Sequence, residues 1–119
     1  NEAMSEEMQR DDKVFVMGED VGWNLLGATA GLLNKFGPER VRDTPISEAG
    51  FVGAGAGAAM VGMRPVVDML IAPFVYVAFD QIVRSKHRRG TRIREAWHPL
   101  AQERTESRQG AIRLALHAR

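Results

Sequence analysis

Residues 43–57 read Asp-Thr-Pro-Ile-Ser-Glu-Ala-Gly-Phe-Val-Gly-Ala-Gly-Ala-Gly, and this stretch decides the fold. Pro45 disfavours a helical residue before it, and Ser47 is a residue type that commonly caps helix starts. From Ala49 to Met63 no side chain is charged or strongly polar. The pattern predicts a buried helix that begins at Glu48, with glycines that let another backbone or a flat ring approach closely.

Glu48 is the carboxylate at the N-terminus of this apolar helix. A lone carboxylate beside a dry, packed region is a candidate for proton chemistry. A glutamate in the first turn also interacts favourably with the helix dipole, by ~0.3–1 kcal/mol at a surface. From the residues alone, both explanations of Glu48 stay open.

Short apolar, β-rich runs alternate with helical patterns along the first 83 residues. The runs at 14–17, 41–44 and 66–71 are predicted strands, and the segments at 2–10, 25–36, 48–62 and 74–83 are predicted helices. Strands separated by helices predict an α/β fold, with a parallel sheet and flanking helices.

A second acidic candidate follows the first predicted strand. Glu19 lies in the loop Gly18–Gly22, at the carboxyl end of that strand, where open α/β sheets place their ligands. A solvated loop acid is the alternative explanation.

Five segments, in order, resemble the beta subunits of thiamine-diphosphate-dependent 2-oxoacid dehydrogenases. They are Val14-Phe-Val-Met-Gly-Glu-Asp-Val-Gly22, Gly31-Leu-Leu-Asn-Lys-Phe-Gly-Pro-Glu-Arg-Val41, Thr44-Pro-Ile-Ser-Glu48-Ala-Gly-Phe, Gly62-Met-Arg-Pro-Val-Val-Asp68 and Ala78-Phe-Asp-Gln-Ile-Val83. The pyruvate dehydrogenase beta subunits are most alike, and the branched-chain 2-oxoacid and acetoin enzymes are alternatives. The resemblance covers residues 1–83 and implies a partial transketolase-like pyrimidine-binding domain.

The resemblance implies roles for particular side chains. The family's equivalent of Glu48 hydrogen-bonds a ring nitrogen of the cofactor's aminopyrimidine, which then takes the proton from the thiazolium carbon. Phe74 falls where the family stacks an aromatic ring on the pyrimidine. Leu70 and Glu19 fall at the same cofactor pocket, whereas the family often has a polar residue where this chain has Val77.

The resemblance also implies a reaction and partners. The family decarboxylates a 2-oxoacid oxidatively and transfers the acyl group to lipoamide on an acyltransferase component. An alpha subunit supplies most of the diphosphate and magnesium site, and this chain lacks the Gly-Asp-Gly…Asn magnesium motif. We therefore predict no metal site in this chain and no activity without the alpha subunit. A non-catalytic, truncated interaction fragment is the alternative.

Composition restricts the protein class. The chain has 119 residues and no cysteine, which excludes disulfides and thiolate metal sites. Its longest apolar run, residues 49–63, is too short and too glycine-rich to span a membrane, and the acidic start resembles no secretion signal. We expect a bacterial cytoplasmic or mitochondrial matrix location. Because the chain opens on Asn1 inside a predicted helix, we also expect a fragment of a longer protein.

Charge divides the chain sharply near Val83. Residues 1–83 hold 6 basic and 12 acidic residues, a net charge of −6, whereas residues 84–119 hold 10 and 3, a net charge of +7. We predict two parts: a partial pyrimidine-binding domain at 1–83 and a basic tail of unrelated character at 84–119.

Three interpretations of the tail stay open: an out-of-frame translation, a basic arm for nucleic acid or an acidic partner, and a solvated or disordered extension. The abrupt loss of the family pattern favours the first. Nucleic-acid binding is disfavoured because Trp97 is the tail's only aromatic residue and no recognition motif is present.

A dinucleotide-binding protein is the remaining rival. The glycines from Gly53 onward satisfy the loose glycine fingerprint, but only Gly50-Phe51-Val52 precedes them where a strand is needed, and Asp68 comes 15 residues after Gly53. That fingerprint needs a preceding strand and an acid about 20 residues on. Alternating alanine and glycine in an apolar helix explains the match better.

Overall fold

In the computed structural model, which describes residues 1–87 and 113–115, helices flank a four-stranded sheet. In chain order the elements are α1 (Glu2–Arg10), β1 (Val14–Gly18), α2 (Leu32–Phe36), β2 (Val41–Asp43), α3 (Glu48–Met60), β3 (Arg64–Asp68), a 3-10 helix (Ala72–Tyr76), α4 (Phe79–His87) and β4 (Arg113–Ala115). No helix among these is both long and apolar enough to cross a membrane.

The strand order is β2-β1-β3-β4. β1 pairs in parallel with both β2 and β3, which confirms the predicted α/β class, and β4 pairs antiparallel with β3. β4 was not predicted, and it lies within the range assigned to the basic tail. Since residues 88–112 and 116–119 lie outside the described part of the chain, the boundary near Val83 stays a prediction.

The sheet has an apolar core on each face. β1 is buried over all five residues, as expected for a central parallel strand covered on both faces. On one face the buried cluster joins α3 to the sheet: Phe15, Met17, Phe51, Val52, Ala56, Ala59, Val67, Met69 and Ala78. On the other face it joins α1 and α2 to the sheet: Met8, Val14, Val16, Val21, Leu32 and Val41.

The helix predicted over residues 25–36 forms only at Leu32–Phe36. Residues 19–31 form a run of turns, because Asn24, Gly27 and Gly31 have φ values of 59°, 79° and 75°. Left-handed residues cannot continue a right-handed helix. The Asn24 side chain supports the turn, since its Oδ1 accepts a hydrogen bond from Thr29 N at 3.1 Å.

Two further boundaries move. The strand predicted at 66–71 lies at Arg64–Asp68 and ends before Leu70, whose φ is 59°. The helix predicted over 74–83 begins only at Phe79, and Phe74 belongs instead to the 3-10 helix that has Pro73 in its first turn.

α3 begins at Glu48 as predicted, but it is buried on one side only. Its buried residues are Phe51, Val52, Gly55, Ala56 and Ala59, whereas Gly50, Ala54, Gly57 and Met60 are exposed. Ser47 stands before the helix without making a side-chain capping hydrogen bond. The prediction that this segment is buried throughout was therefore wrong for its outer face.

Candidate functional site

The three parallel strands end at the same level of the sheet. Gly18 at the end of β1 is in register with Asp43 at the end of β2 and with Asp68 at the end of β3. The segments that leave this carboxyl edge carry every predicted site residue. This edge is where parallel α/β sheets bind ligands.

Gly18 keeps the edge tightly packed. A Cβ atom at Gly18 would overlap the carbonyl oxygen of Asp68. On the other side, Thr44 N donates a hydrogen bond to Gly18 O at 3.0 Å. The chain therefore turns into the Glu19 loop directly between its two neighbouring strands.

Glu19 and Glu48 come together at this edge. Glu19 is buried, with 9% of the residue exposed, and Glu48 is half-buried at the start of α3. Burial raises the pKa of Glu19, and the nearby carboxylates of Glu48 and Asp20 raise it further, while a backbone hydrogen bond from Ser47 opposes them. Glu48 is therefore one of a pair of carboxylates rather than a lone acid.

Two buried oxygens at this edge have no hydrogen-bond partner among the described residues: Oε1 of Glu19 and Oγ1 of Thr44. Leaving a buried polar atom unpaired costs about 1–3 kcal/mol. A ligand with polar ring atoms would recover this cost, and an aminopyrimidine has both donors and acceptors. The residues at the edge therefore fit the pyrimidine side of thiamine diphosphate.

The connection after β3 holds the predicted pocket residues. Leu70 is half-buried and left-handed, and its backbone N donates to Asp68 Oδ1 at 3.0 Å. A leucine in this conformation is strained, and such strain clusters at functional sites. Phe74 is half-buried and packs against the core cluster of α3, whereas Val77 is 60% exposed.

Sequence reasoning missed Asp43 as a site residue. Its Oδ1 accepts a hydrogen bond from Gly22 N at 2.7 Å, which links the end of β2 to the Glu19 loop. An aspartate at a strand end is a weak signal by itself. The pairing with Gly22 becomes visible only when the parallel register of β1 and β2 is known.

Sequence reasoning also missed a set of exposed apolar side chains on the segments that leave the carboxyl edge, which we call the apolar rim. Seven large apolar side chains on the segments that follow β1, β2 and β3 are at least 40% exposed: Trp23, Leu25, Leu26, Ile46, Tyr76, Val77 and Phe79. Among the described residues, no group of three His, Cys, Asp or Glu side chains could hold a metal ion.

Comparison with known proteins agrees with this geometry. Residues 1–113 match the family model described as transketolase, pyrimidine binding domain. The chain is 54% identical over 85 residues to the 2-oxoisovalerate dehydrogenase subunit beta of Bacillus subtilis, covering 70% of this chain and 26% of that protein.

Pyruvate dehydrogenase relatives are equally similar. The chain is 56% identical over 88 residues to the mitochondrial pyruvate dehydrogenase E1 component subunit beta-1 of Arabidopsis thaliana, covering 71% of this chain and 24% of that protein. It is 56% identical over 87 residues to the E1 component subunit beta of Rickettsia felis, covering 71% of this chain and 26% of that protein. The chain thus spans about a quarter of the length of these relatives. The match over most of its residues shows that this chain belongs to the transketolase pyrimidine-binding domain family.

Proposed function

We propose that this chain forms the pyrimidine side of the active site in the beta subunit of a 2-oxoacid dehydrogenase. The observation that carries the proposal is the pair of carboxylates, Glu19 and Glu48, at the carboxyl edge of a domain from the pyrimidine-binding family. The family depends on thiamine diphosphate. The overall reaction would be oxidative decarboxylation of a 2-oxoacid with acyl transfer to lipoamide.

Each site residue has a role in this proposal. Glu48 would hold a proton between its carboxylate and a ring nitrogen of the bound aminopyrimidine. Glu19 would keep a second, less readily ionised carboxyl beside it, and Phe74 and Leu70 would fix the plane of the ring. When bound, thiamine diphosphate supplies the nucleophilic carbon and the electron sink for decarboxylation.

The apolar rim supports a partner that covers the site. Exposed apolar groups concentrated around one edge are typical of interaction surfaces. E1 beta subunits act with an alpha subunit in a complex. We assign the rim to that contact, and to the alpha subunit we assign the diphosphate and magnesium site. A lipoyl-bearing acyltransferase would then accept the acyl group.

Pyruvate is the favoured substrate in our proposal, with a branched-chain 2-oxoacid as the alternative. The names of the relatives include both substrate classes, at 56% and 54% identity. Relatives come from bacteria and from mitochondria, which supports a cytoplasmic or matrix location. A truncated, non-catalytic interaction fragment is the competing function, and cofactor turnover with and without an alpha subunit distinguishes the two.

For residues 84–119 we keep the proposal of a basic tail produced by an altered reading frame. The change in net charge from −6 to +7 near Val83 supports it. Sequencing the coding DNA across codons 78–119 and translating all three frames tests it. A frame that restores a family-like continuation supports the proposal, and its absence in every frame contradicts it.

The experiment for the proposed function is Glu48→Gln in the full-length beta subunit, assembled with its alpha subunit. Glutamine keeps the size of the side chain but cannot exchange the proton. We expect hydrogen–deuterium exchange at the thiazolium carbon to fall at least a hundredfold, with no decrease in the melting temperature. Glu39→Gln, an exposed acid remote from the carboxyl edge, is the control. Near-normal exchange in the Glu48 variant would refute the assignment.

A further inference from the structure

The side chain of Asp43 adds a link between the loop that carries Glu19 and the segment that carries Glu48, beside the hydrogen bonds from Thr44 N to Gly18 O and from the Ser47 backbone to Glu19. Asp43 ends β2 and stands five residues before Glu48. Its Oδ1 accepts a hydrogen bond from Gly22 N at 2.7 Å, across 21 residues of sequence. Asp43 thus joins the two segments whose carboxylates meet at the site.

Gly22 is fitted to this contact. A Cβ atom at Gly22 would stand 2.6 Å from Oδ2 of Asp43, which is closer than non-bonded atoms approach. Gly22 is not among the left-handed glycines, so its backbone conformation would admit a side chain. A side chain at position 22 would therefore move the Asp43 carboxylate out of the position in which it accepts the hydrogen bond from Gly22 N.

The rest of the loop is already closed by other contacts. Thr29 Oγ1 donates to Val21 O at 2.6 Å, and this hydrogen bond is buried. Val21 itself is 2% exposed and packs in the core cluster on the α1 face. The loop is thus anchored on its far side, and the Asp43 contact sets where its near side stands relative to β2.

We propose that Asp43 is a positioning residue, which clamps the Glu19 loop to the Glu48 segment and so fixes the two carboxylates relative to each other. This inference rests on the proposed function, because the value of the clamp lies in the carboxylate pair. Asp43 is exposed and acts through the Gly22 amide rather than on a reacting atom. Pro45 stiffens the short connection, so that a fixed Asp43 also fixes the start of α3.

The test uses the full-length beta subunit assembled with its alpha subunit. Asp43→Ala removes the acceptor, Asp43→Asn keeps an oxygen acceptor, and Glu39→Ala removes an exposed acid four residues earlier as the matched control. Amide hydrogen exchange of residues 19–26 without cofactor measures the loop. Titration with thiamine diphosphate and steady-state kinetics measure the site.

For Asp43→Ala we expect loop exchange about tenfold faster, thiamine diphosphate affinity about tenfold weaker, and a lower kcat with an unchanged KM for the 2-oxoacid. Asp43→Asn should recover most of the wild-type exchange and affinity, and Glu39→Ala should match wild type. If Asp43→Ala fails to fold, Gly22→Ala breaks the same contact from the other side and should give the same three changes.

Three results would overturn the inference: unchanged loop exchange, faster exchange with unchanged cofactor affinity and kcat, or equal damage in Asp43→Ala and Asp43→Asn. Failure of the proposed function is separate from these. It shows as a wild-type complex that does not bind thiamine diphosphate, whereas the exchange measurement needs no cofactor and still reports on the clamp.

Discussion

Glu19 keeps an ionisable carboxyl where only 9% of the residue is exposed, and this makes stability depend on pH. Burial and the Glu48 charge raise the pKa of Glu19 above its ordinary value of 4.5. The folded state therefore binds more protons than the unfolded state, and wild-type stability falls as pH rises from about 4.5 through the folded pKa. Glu19→Gln lacks this loss. Between pH 4 and pH 8, the melting temperature of Glu19→Gln relative to that of wild type should rise above about pH 4.5 and level off once the pH exceeds the folded-state pKa of Glu19.

Thermal unfolding of both proteins across this pH range is the measurement. Glu39→Gln, which removes an exposed carboxylate, should give a curve parallel to wild type. A constant difference between the Glu19→Gln and wild-type curves would show that the carboxyl of Glu19 titrates alike in the folded and unfolded states.

Phe74 contributes to both packing and the site, so its two roles must be separated. Phe74→Ala should weaken thiamine diphosphate binding at least tenfold through the loss of ring stacking. It should lower the free energy of unfolding by only about 1–2 kcal/mol, because the ring is half-buried. Val75→Ala is the matched control, since Val75 packs against the same cluster. Unchanged cofactor affinity in Phe74→Ala would refute the role.

Two glycines of α3, Gly57 and Gly53, have different surroundings, so that adding a side chain should have opposite effects on the stability of the protein. Nothing lies within 4 Å of a Cβ placed on Gly57, whereas one placed on Gly53 would stand 3.2 Å from Gln81 Oε1 on α4. Gly57→Ala should therefore stabilise the isolated subunit by about 0.5–1 kcal/mol through helix propensity. Gly53→Val should destabilise it by about 1–3 kcal/mol, because the larger side chain must displace the side chain of Gln81.

Urea unfolding of the two variants measures both effects. The decisive result is which variant has the higher free energy of unfolding, because both replace a glycine in the middle of the same helix. If both variants were stabilised, the contact with the Gln81 side chain would not restrict a side chain at position 53.

Local signals explain which elements the sequence predicted well. α3 starts at Glu48 as predicted, because the Thr-Pro turn and the apolar run after it act within a few residues. The helix over residues 25–36 failed in its first half, because regularly spaced leucines gave a helical pattern while Asn24, Gly27 and Gly31 are left-handed. The spacing of apolar residues carries no information on backbone φ angles, so the loop over residues 19–31 could be found only from the structure.

Long-range contacts explain what the sequence left out of the site. Glu48 and Glu19 are candidates from the sequence because each lies at the end of an element and within a segment that resembles the family. The hydrogen bond from Leu70 N to the Asp68 side chain spans only two residues and is local. The Asp43 clamp instead joins residues that are 21 positions apart and depends on strand register, which a window of neighbouring residues does not contain. The resemblance to the family predicts which residues lie at the cofactor pocket, but it does not show which contacts keep those residues in place.

At the scale of the whole molecule, the sheet must hold its two covering layers in a fixed relation for its carboxyl edge to keep its shape. The layer with α3 is joined to the sheet by a large apolar cluster, and the layer with α1 by a smaller one. The smaller layer is reinforced by one cation. Arg40 lies just before β2, and its side chain is 20% exposed.

The guanidinium of Arg40 donates to three carbonyl oxygens at the junction of α1 and β1. Its Nη2 stands 2.7 Å from Met8 O, 2.8 Å from Asp11 O and 2.6 Å from Val14 O, and its Nε stands 2.9 Å from Val14 O. The planar fork of arginine suits this geometry, and the single ammonium of lysine cannot reproduce it. One side chain thus ties the end of α1, the following turn and β1 to the approach of β2.

Arg40→Ala should lower the free energy of unfolding by about 2–4 kcal/mol, since several charge-assisted hydrogen bonds to partly buried carbonyl oxygens are lost. Arg40→Lys should recover less than half of that loss. Arg42→Ala is the matched control, because Arg42 is half exposed and pairs with Glu39 at 3.5 Å, which predicts a change of about 0–1 kcal/mol.

Salt separates the carbonyl contacts of Arg40 from its ion pair. Arg40 also stands 3.5 Å from Asp12, whose side chain is fully exposed, and such a pair is weak and screened. If the carbonyl contacts dominate, the Arg40→Ala deficit should be nearly the same at low salt and at high salt. If the loss of stability in Arg40→Ala disappeared in high salt, the ion pair with Asp12 would account for it. The junction of α1 with the sheet would then be stabilised by apolar packing and not by the carbonyl contacts of Arg40.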